Sequence, residues 1–398
     1  METPPVAAAA PRLTLAEVLR AGLPLHTRTH RLPLHHWKVM RALSACRTSA
    51  LGGHHYRCQH CGREHFVPHS CRNRHCPACQ GANGFDWMEK QSELLLPIPY
   101  FHLVFTLPHE LNPLIQQNQA RLYSLLFDAA SATLLEFGRN RLHAQIGVTA
   151  VLHTWSQTLA DHYHLHCIVT GGGLRHDGTG WQGTSPTWIF PVKALSKVFR
   201  AKFRDGLHQL QAGGKLEFHG QLQPLAQSNQ FISLVKQATA KSWVVYAKRP
   251  FAGPDAVLAY LARYTHRVGI TNQRLLKLDN PAQKVTFAYK DYADDSRKKE
   301  MTLSLCEFVR RFRLHILPER FVKIRHYGLL ANRNRHTRIA QARADLPNSA
   351  RKISAPTEPP AAGSLTLPVC PHCRQPGLVL LAVTHGRPHF FPCHTDSS

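Results

Sequence analysis

Acidic side chains are scarce in this chain. Asp and Glu total 24 against 49 Lys and Arg, a formal charge of +25 before any histidine protonates. That imbalance predicts a polyanionic partner, nucleic acid first of all, with a solubility-driven charge excess as the alternative. Long hydrophobic runs are also lacking: no stretch approaches the roughly 18 apolar residues of a membrane span. The opening Met1-Glu2-Thr3-Pro4-Pro5 lacks the basic start of a secretory signal. A soluble, cytoplasmic protein without a membrane partner is expected. Hydrophobic residues, at 43% of 398, are ample for a packed core and for two or three domains.

Cysteine is not scarce. Of eleven cysteines, eight (Cys58, Cys61, Cys71, Cys76, Cys79, Cys370, Cys373 and Cys393) fall in two histidine-rich clusters. Without a signal peptide, such clusters favour thiolates holding Zn²⁺ over disulfides. Cys58-Gln59-His60-Cys61 and Cys76-Pro77-Ala78-Cys79 are paired C-x-x-C knuckles with 14 residues between them. Four sulfurs satisfy a closed, structural tetrahedron, so these four are expected to share one ion. Cys46, Cys71 and His75 could complete a second site or replace one ligand. Arg72 and Arg74 would present charge to phosphates. Near the C-terminus, Cys370, Cys373 and Cys393 suggest a second zinc knuckle, its fourth ligand open among His385, His389 and His394; a disordered tail is the alternative.

Between these ends the pattern is α+β with an antiparallel sheet. A first helix is expected over 14–21, stopped by Gly22 and Pro24. Tyr100–Leu107 reads as a strand, 111–141 as a helix and Ile146–Trp155 as a second strand. The connection from Trp155 to His162 is too short for a crossover helix, so the next strand is antiparallel. Gly171-Gly172-Gly173 reads as a turn. Lys193–Leu210 is a basic amphipathic helix, and Ala256–Val268 is another helix between Asp255 and Gly269.

Chemistry concentrates in His162-Tyr163-His164-Leu165-His166-Cys167. Alternation puts the three histidines on one face, neighbours about 7 Å apart, and Leu165 and Cys167 on the other. Such a row is a divalent-metal candidate, although hydrogen-bonded histidines also adopt it. Tyr260 and Tyr264, at i and i+4 on the later helix, are stacked on one face; core packing or a pair of nucleophiles would both suit them. Arg263 and Arg267 lie beside them.

Taken together, these features resemble the histidine–hydrophobic–histidine (HUH) endonuclease superfamily. More narrowly, they resemble the two-tyrosine rolling-circle transposases of bacterial insertion sequences typified by insertion sequence ninety-one. The carrying motifs are Cys71-Arg72-Asn73-Arg74-His75-Cys76-Pro77-Ala78-Cys79, Phe105-Thr106-Leu107-Pro108, Val151-Leu152-His153-Thr154-Trp155, His164-Leu165-His166-Cys167, Tyr260 to Arg267 and His326-Tyr327-Gly328. Tyr163 stands where relatives often carry proline. The resemblance implies a bacterial, nucleoid-associated enzyme that nicks and rejoins single-stranded element ends and target DNA. Mg²⁺ or Mn²⁺ on His164 and His166 would polarise the phosphodiester, and Tyr260 or Tyr264 would form a 5′-phosphotyrosine. Related initiators imply a third ligand before the pair. Gln157 is the first choice, with His153, Asp161 and His162 as alternatives.

The rear is the most basic part: residues 309–352 carry 12 Lys or Arg against Glu319 and Asp345. Arg310, Arg311, Arg313, Lys323 and Arg325 alternate with Phe308, Phe312, Phe321 and Tyr327, a composition suited to single-stranded DNA, although more than half of those aromatics are expected in the core. The expected organisation is a zinc module over 1–90, the HUH nuclease over 98–305 and a basic DNA-binding region over 306–352. A linker over 353–369 and a small knuckle or tail over 370–398 follow. A non-catalytic zinc DNA-binding protein and a plasmid-type replication initiator are the competing readings.

Overall fold

The computed structural model describes residues 12–80, 92–187, 189–248, 250–251, 256–257, 260, 267–346 and 368–386. Tyr264, Arg263, Cys393, His389, His394 and most of the expected linker lie outside the described residues. Among the described residues twelve strands are seen: β1 (Gly52–Cys58), β2 (Glu64–Pro68), β3 (Tyr100–Thr106), β4 (Ala144–Trp155), β5 (Asp161–Arg175), β6 (Trp181–Gly183), β7 (Val245–Lys248), β8 (Leu275–Asp279), β9 (Lys284–Asp291), β10 (Arg297–Ser304), β11 (Ile324–Gly328) and β12 (Leu378–His385). Contacts divide the chain into two discontinuous units, one of residues 1–80, 270–310 and 356–398, the other of 81–269 and 311–355. The expected linear order of modules is therefore not the spatial one. No described helix is long and apolar enough to cross a membrane.

The larger unit is an α+β layer on one antiparallel sheet, ordered β11-β4-β5-β3-β7 with β6 on β5. Alternation decides its two faces. Phe101, Leu103 and Phe105 of β3, Val148, Ala150 and Leu152 of β4, and Leu165, Cys167 and Val169 of β5 enter one core. Helices Gln119–Leu142 and Val192–Ala212 cover that face with Leu122, Leu126, Leu134, Leu195, Phe199 and Phe203. Phe105 and Phe199 meet edge to face at 5.0 Å. Each such aromatic contributes on the order of 2–3 kcal/mol by burial.

Three sequence expectations change here. The helix expected over 111–141 is two helices, Asn112–Gln117 and Gln119–Leu142. Asn118 breaks it because its amide donates to the carbonyl of Glu217 (2.9 Å) and its side-chain oxygen accepts from Glu217 N–H (2.8 Å). The glycine run is not a turn but the C-terminal part of β5, paired with β4 and β6. Glycine is needed there for close approach: a Cβ on Gly171 would lie 2.6 Å from the Pro99 carbonyl, and one on Gly173 2.3 Å from that of Gln145. Finally, the basic rear is not a separate module. β11 pairs with β4, and Phe312 and Phe321 are buried.

The smaller unit is assembled from three stretches of chain. Helix Leu15–Thr27 opens on a capping box, Thr14 N–H donating to Glu17 Oε2 (2.7 Å) and Glu17 N–H to Thr14 Oγ1 (3.3 Å). It runs past Gly22 and Pro24, where the sequence suggested a stop. Burial of Leu23 and His26 offsets the bond that Pro24 cannot make, and Gly22 lets Leu305 and Val309 approach. Two three-stranded antiparallel sheets complete the unit, β12-β1-β2 and β10-β9-β8. Phe287 of β9 packs on Phe308, ring centroids 6.0 Å apart.

Gly173→Ala is expected to destabilise the larger unit by about 1–3 kcal/mol, because the added methyl meets backbone that cannot yield. Gly183→Ala, which meets nothing within 4 Å, should lie within about 0.5 kcal/mol of wild type. Urea unfolding of both variants measures the contrast.

Candidate active site and metal centres

The face of the central sheet opposite the helical core carries the histidines. β4 and β5 pair so that His153 stands directly across from His164 and Val151 across from His166. β3 adds His102, one step diagonal from His166. One ligand nitrogen each of His153, His164 and His166 lies within 4.8 Å of the others. His153 is 3% exposed and His164 9%. His164 Nδ1–H donates to the His162 carbonyl at 2.8 Å, and since a carbonyl only accepts, Nε2 keeps the lone pair that a metal needs. Burial first, and then the neighbouring His162, holds His164 down to about 3; burial and His153 push His166 well below its ordinary value. Both imidazoles are thus neutral, the ligating form.

Tyr260 closes this face. Its hydroxyl lies 2.7 Å from His102 Nε2 and 3.1 Å from His166 Nδ1, and those two nitrogens are 2.9 Å apart. Phe251 and His102 wall its ring at centroid distances of 5.0 and 4.7 Å. With its proton on Nδ1, His166 donates to the phenol oxygen while the phenol O–H donates to His102. Burial, with Lys248 nearby, pushes His102 down to about 3, so its neutral ring can accept. His102 was missed in the sequence. The signal was its phase: Phe101, Leu103 and Phe105 fill the core, and a histidine at the alternate position faces the other histidines.

Of the other candidates, Gln157 sits in the turn between β4 and β5. Asp161 accepts from Gln116 (2.6 Å) and from the Tyr163 hydroxyl (3.0 Å). His162 packs against His164 and His109, at 4.6 and 5.9 Å. The third member that geometry adds to the pair is His153. Arg267 is close enough for its charge to help depress His164 and His166.

The cysteines assemble in a different grouping from the sequence expectation. Cys46, Cys71, Cys76 and Cys79 form one tetrad, and Cys58, Cys61, Cys370 and Cys373 another. The two neighbouring knuckles belong to different centres. Sulfur separations are 3.6–3.7 Å in the first tetrad and 3.6–3.8 Å in the second. A tetrahedron with Zn–S bonds of 2.3 Å has edges of about 3.8 Å, so both sets fit that ion. Cys46 is pulled far down by hydrogen bonds from Cys71 and Cys76, and Cys71 is pushed far up by the same bond to Cys46. Four mutually close thiols cannot all ionise without a cation among them. In the second tetrad both knuckles close alike, Gly62 N–H to Cys58 O and Arg374 N–H to Cys370 O, each 2.9 Å. Pairing of β12 with β1 brings them together. His75 stands outside both sets; its backbone and ring nitrogens bond Asn73 Oδ1 at 2.9 and 3.0 Å.

Several basic residues expected on DNA are engaged within the protein. Arg310 forms a bidentate pair with Glu307 (2.6 and 2.9 Å), and Arg311 donates to the Thr158 carbonyl (3.1 Å). Arg325 lies over Phe127 at 4.3 Å and donates to Ser124 Oγ. Arg313 and Lys323 are half-buried, and Arg74 likewise, whereas Arg72 is exposed beside the first tetrad.

If Cys58 and Cys370 hold one ion, Cys58→Ser, Cys370→Ser and the double variant should each lose the same single zinc equivalent. Metal content of the folded variants checks this; losses that add in the double variant would place the two cysteines in separate centres.

Comparison with known proteins agrees with the metal-binding cysteine clusters. A family model described as "Transposase zinc-binding domain" matches residues 18–107, and one described as "Putative transposase" matches residues 147–338. The chain is 43% identical over 361 residues to "Putative transposase y4qJ" of Sinorhizobium fredii (strain NBRC 101917 / NGR234), covering 88% of this chain and 89% of that one. It is 31% identical over 301 residues to "Transposase for insertion sequence element IS801" of Pseudomonas savastanoi pv. phaseolicola, covering 74% and 70%. No solved structure matches. With a zinc-binding module, a histidine-faced sheet and identity spanning most of both relatives, the chain belongs to the IS91/IS801 family of insertion-sequence transposases.

Proposed function

We propose that this transposase is an HUH-type single-strand endonuclease and strand transferase that works through a 5′-phosphotyrosine, in the rolling-circle mode. The observation that carries the reading is the Tyr260 hydroxyl held between His102 and His166, beside the cluster of His153, His164 and His166. The excess of Lys and Arg supplies attraction for DNA, with single-stranded element ends and target DNA as substrates.

A phenol is a weak nucleophile near neutral pH, so its proton needs a destination. The Tyr260 oxygen attacks phosphorus while its proton passes to His102 Nε2. The P–O3′ bond breaks, and O3′ leaves as a hydroxyl by taking a proton from water. The phosphotyrosine keeps the phosphodiester's energy for rejoining, which a free 3′-OH completes by the reverse attack. Tyr264 serves as the second nucleophile in this reading. His153, His164 and His166 would hold Mn²⁺ or Mg²⁺, which when bound polarises the phosphate and stabilises its extra negative charge. An all-imidazole set departs from the oxygen ligands Mg²⁺ prefers, which favours Mn²⁺.

The test incubates the full chain with Mn²⁺ and single-stranded element-end DNA and scores a denaturation-resistant protein–DNA adduct. Wild type should form it, more readily with Mn²⁺ than with Mg²⁺, and Tyr260→Phe should lose the adduct at that residue. His164→Ala should cut cleavage by at least about a hundredfold with DNA binding retained. Wild type forming no adduct on any end sequence overturns the proposal; equal loss of binding and cleavage in His164→Ala would make the histidines structural.

A further inference from the structure

The smaller unit contains a third group of metal-ligand side chains that neither the tetrads nor the histidine face uses. We propose that His26, His30 and Cys306 form a separate binding site for a transition-metal ion of the Zn²⁺ class. One ligand atom of each lies within 4.8 Å of the other two. The site rests on geometry within this unit and is independent of the endonuclease reading.

Local structure brings the three together. His26 is in the last turn of helix Leu15–Thr27 and is 0% exposed. Beyond the helix end, His30 N–H still donates to the His26 carbonyl at 3.0 Å, so one more helical turn is completed. That i, i+4 relation lays the two rings over one another, centroids 4.4 Å apart and nearly parallel. Cys306, in the helix Leu305–Leu314, places its Sγ 3.5 Å from His26 Nδ1. The same helix is fixed against the first one at Gly22, so the thiol arrives on a rigid element.

Hydrogen bonding also engages His30. The Thr29 hydroxyl lies 3.4 Å from the His26 carbonyl and 2.8 Å from His30 Nδ1. When the hydroxyl proton points to that carbonyl, His30 Nδ1–H donates to Thr29. His30 Nε2 is left with its lone pair, the form that coordinates. A thiol–imidazole hydrogen bond would need His26 and Cys306 alone; the convergence of His30 is what a metal adds.

Two imidazoles and one thiolate are borderline and soft ligands, matched to Zn²⁺ or Co²⁺ rather than to Mg²⁺ or Ca²⁺. On binding, the Cys306 S–H bond breaks, a sulfur–metal bond forms and the proton goes to solvent. Three protein ligands leave a fourth position for water. The ion would tie the end of the first helix to the helix carrying Cys306.

Cys306 itself provides the readout. The full chain, purified with its cysteine tetrads loaded, is treated with iodoacetamide with and without buffered micromolar Zn²⁺, and modification of Cys306 is followed by peptide mass spectrometry. Zn²⁺ should slow the wild-type reaction by at least about tenfold, since a metal-bound thiolate is withdrawn from alkylation. In His30→Ala, whose exposed side chain the core does not need, protection should fall below about twofold. Ions taken up by the other centres do not alter a signal read at Cys306. Equal wild-type rates with and without Zn²⁺ would overturn the site, and so would full protection in His30→Ala.

Discussion

Register between β4 and β5 governs the chemistry of this protein. The pairing that sets His153 opposite His164 also sends Leu152, Leu165 and Cys167 into the helical core. A slip of one residue would exchange the faces, exposing the apolar set and burying imidazoles among leucines. Core burial thus fixes the position of the histidines, and does so with far more energy than the imidazoles could supply. The glycines of β5 belong to the same constraint, because they let β4, β6 and the chain before β3 close on the strand without collision.

Burial then sets the protonation of the face. His102, His164 and His166 lose water and neighbour one another, and each is driven toward the neutral ring. Neutral imidazoles can bind a cation and accept a proton, whereas imidazolium can do neither. Tyr260 meets this environment through two short hydrogen bonds, so the phenol sits beside both an acceptor and the candidate metal ligands. In the smaller unit, thiols crowded at tetrahedral spacing create an equivalent demand for a cation. That demand is a folding force: each tetrad gathers stretches that the chain keeps apart, one of them joining residues 58 and 61 to 370 and 373.

The charge excess is distributed less simply than composition suggests. Arg325 is spent on two aromatic rings and a hydroxyl, and Arg310 on Glu307. Their neighbours Phe308, Phe312 and Phe321 are core residues. Alternation of basic and aromatic residues, which on a surface would suit single-stranded nucleic acid, here describes amphipathic elements with one face inside. The net field of the protein still attracts a polyanion.

The sequence by itself determined the α+β class, the antiparallel entry into the histidine strand, the inward set of that strand and the presence of metal-binding cysteines. Each follows from spacing within about twenty residues, where strand and knuckle geometry are nearly fixed. Tertiary structure alone decided the partners across long separations. It joined Cys58 and Cys61 to Cys370 and Cys373, gave Cys46 and Cys71 to the second knuckle, and brought His102 and His153 to the pair. It also carried the first helix through Pro24 and drew the basic rear into the central sheet. Local pattern specifies which face a side chain occupies; which strand lies beside it depends on the packing of the whole core, and that is not a local property.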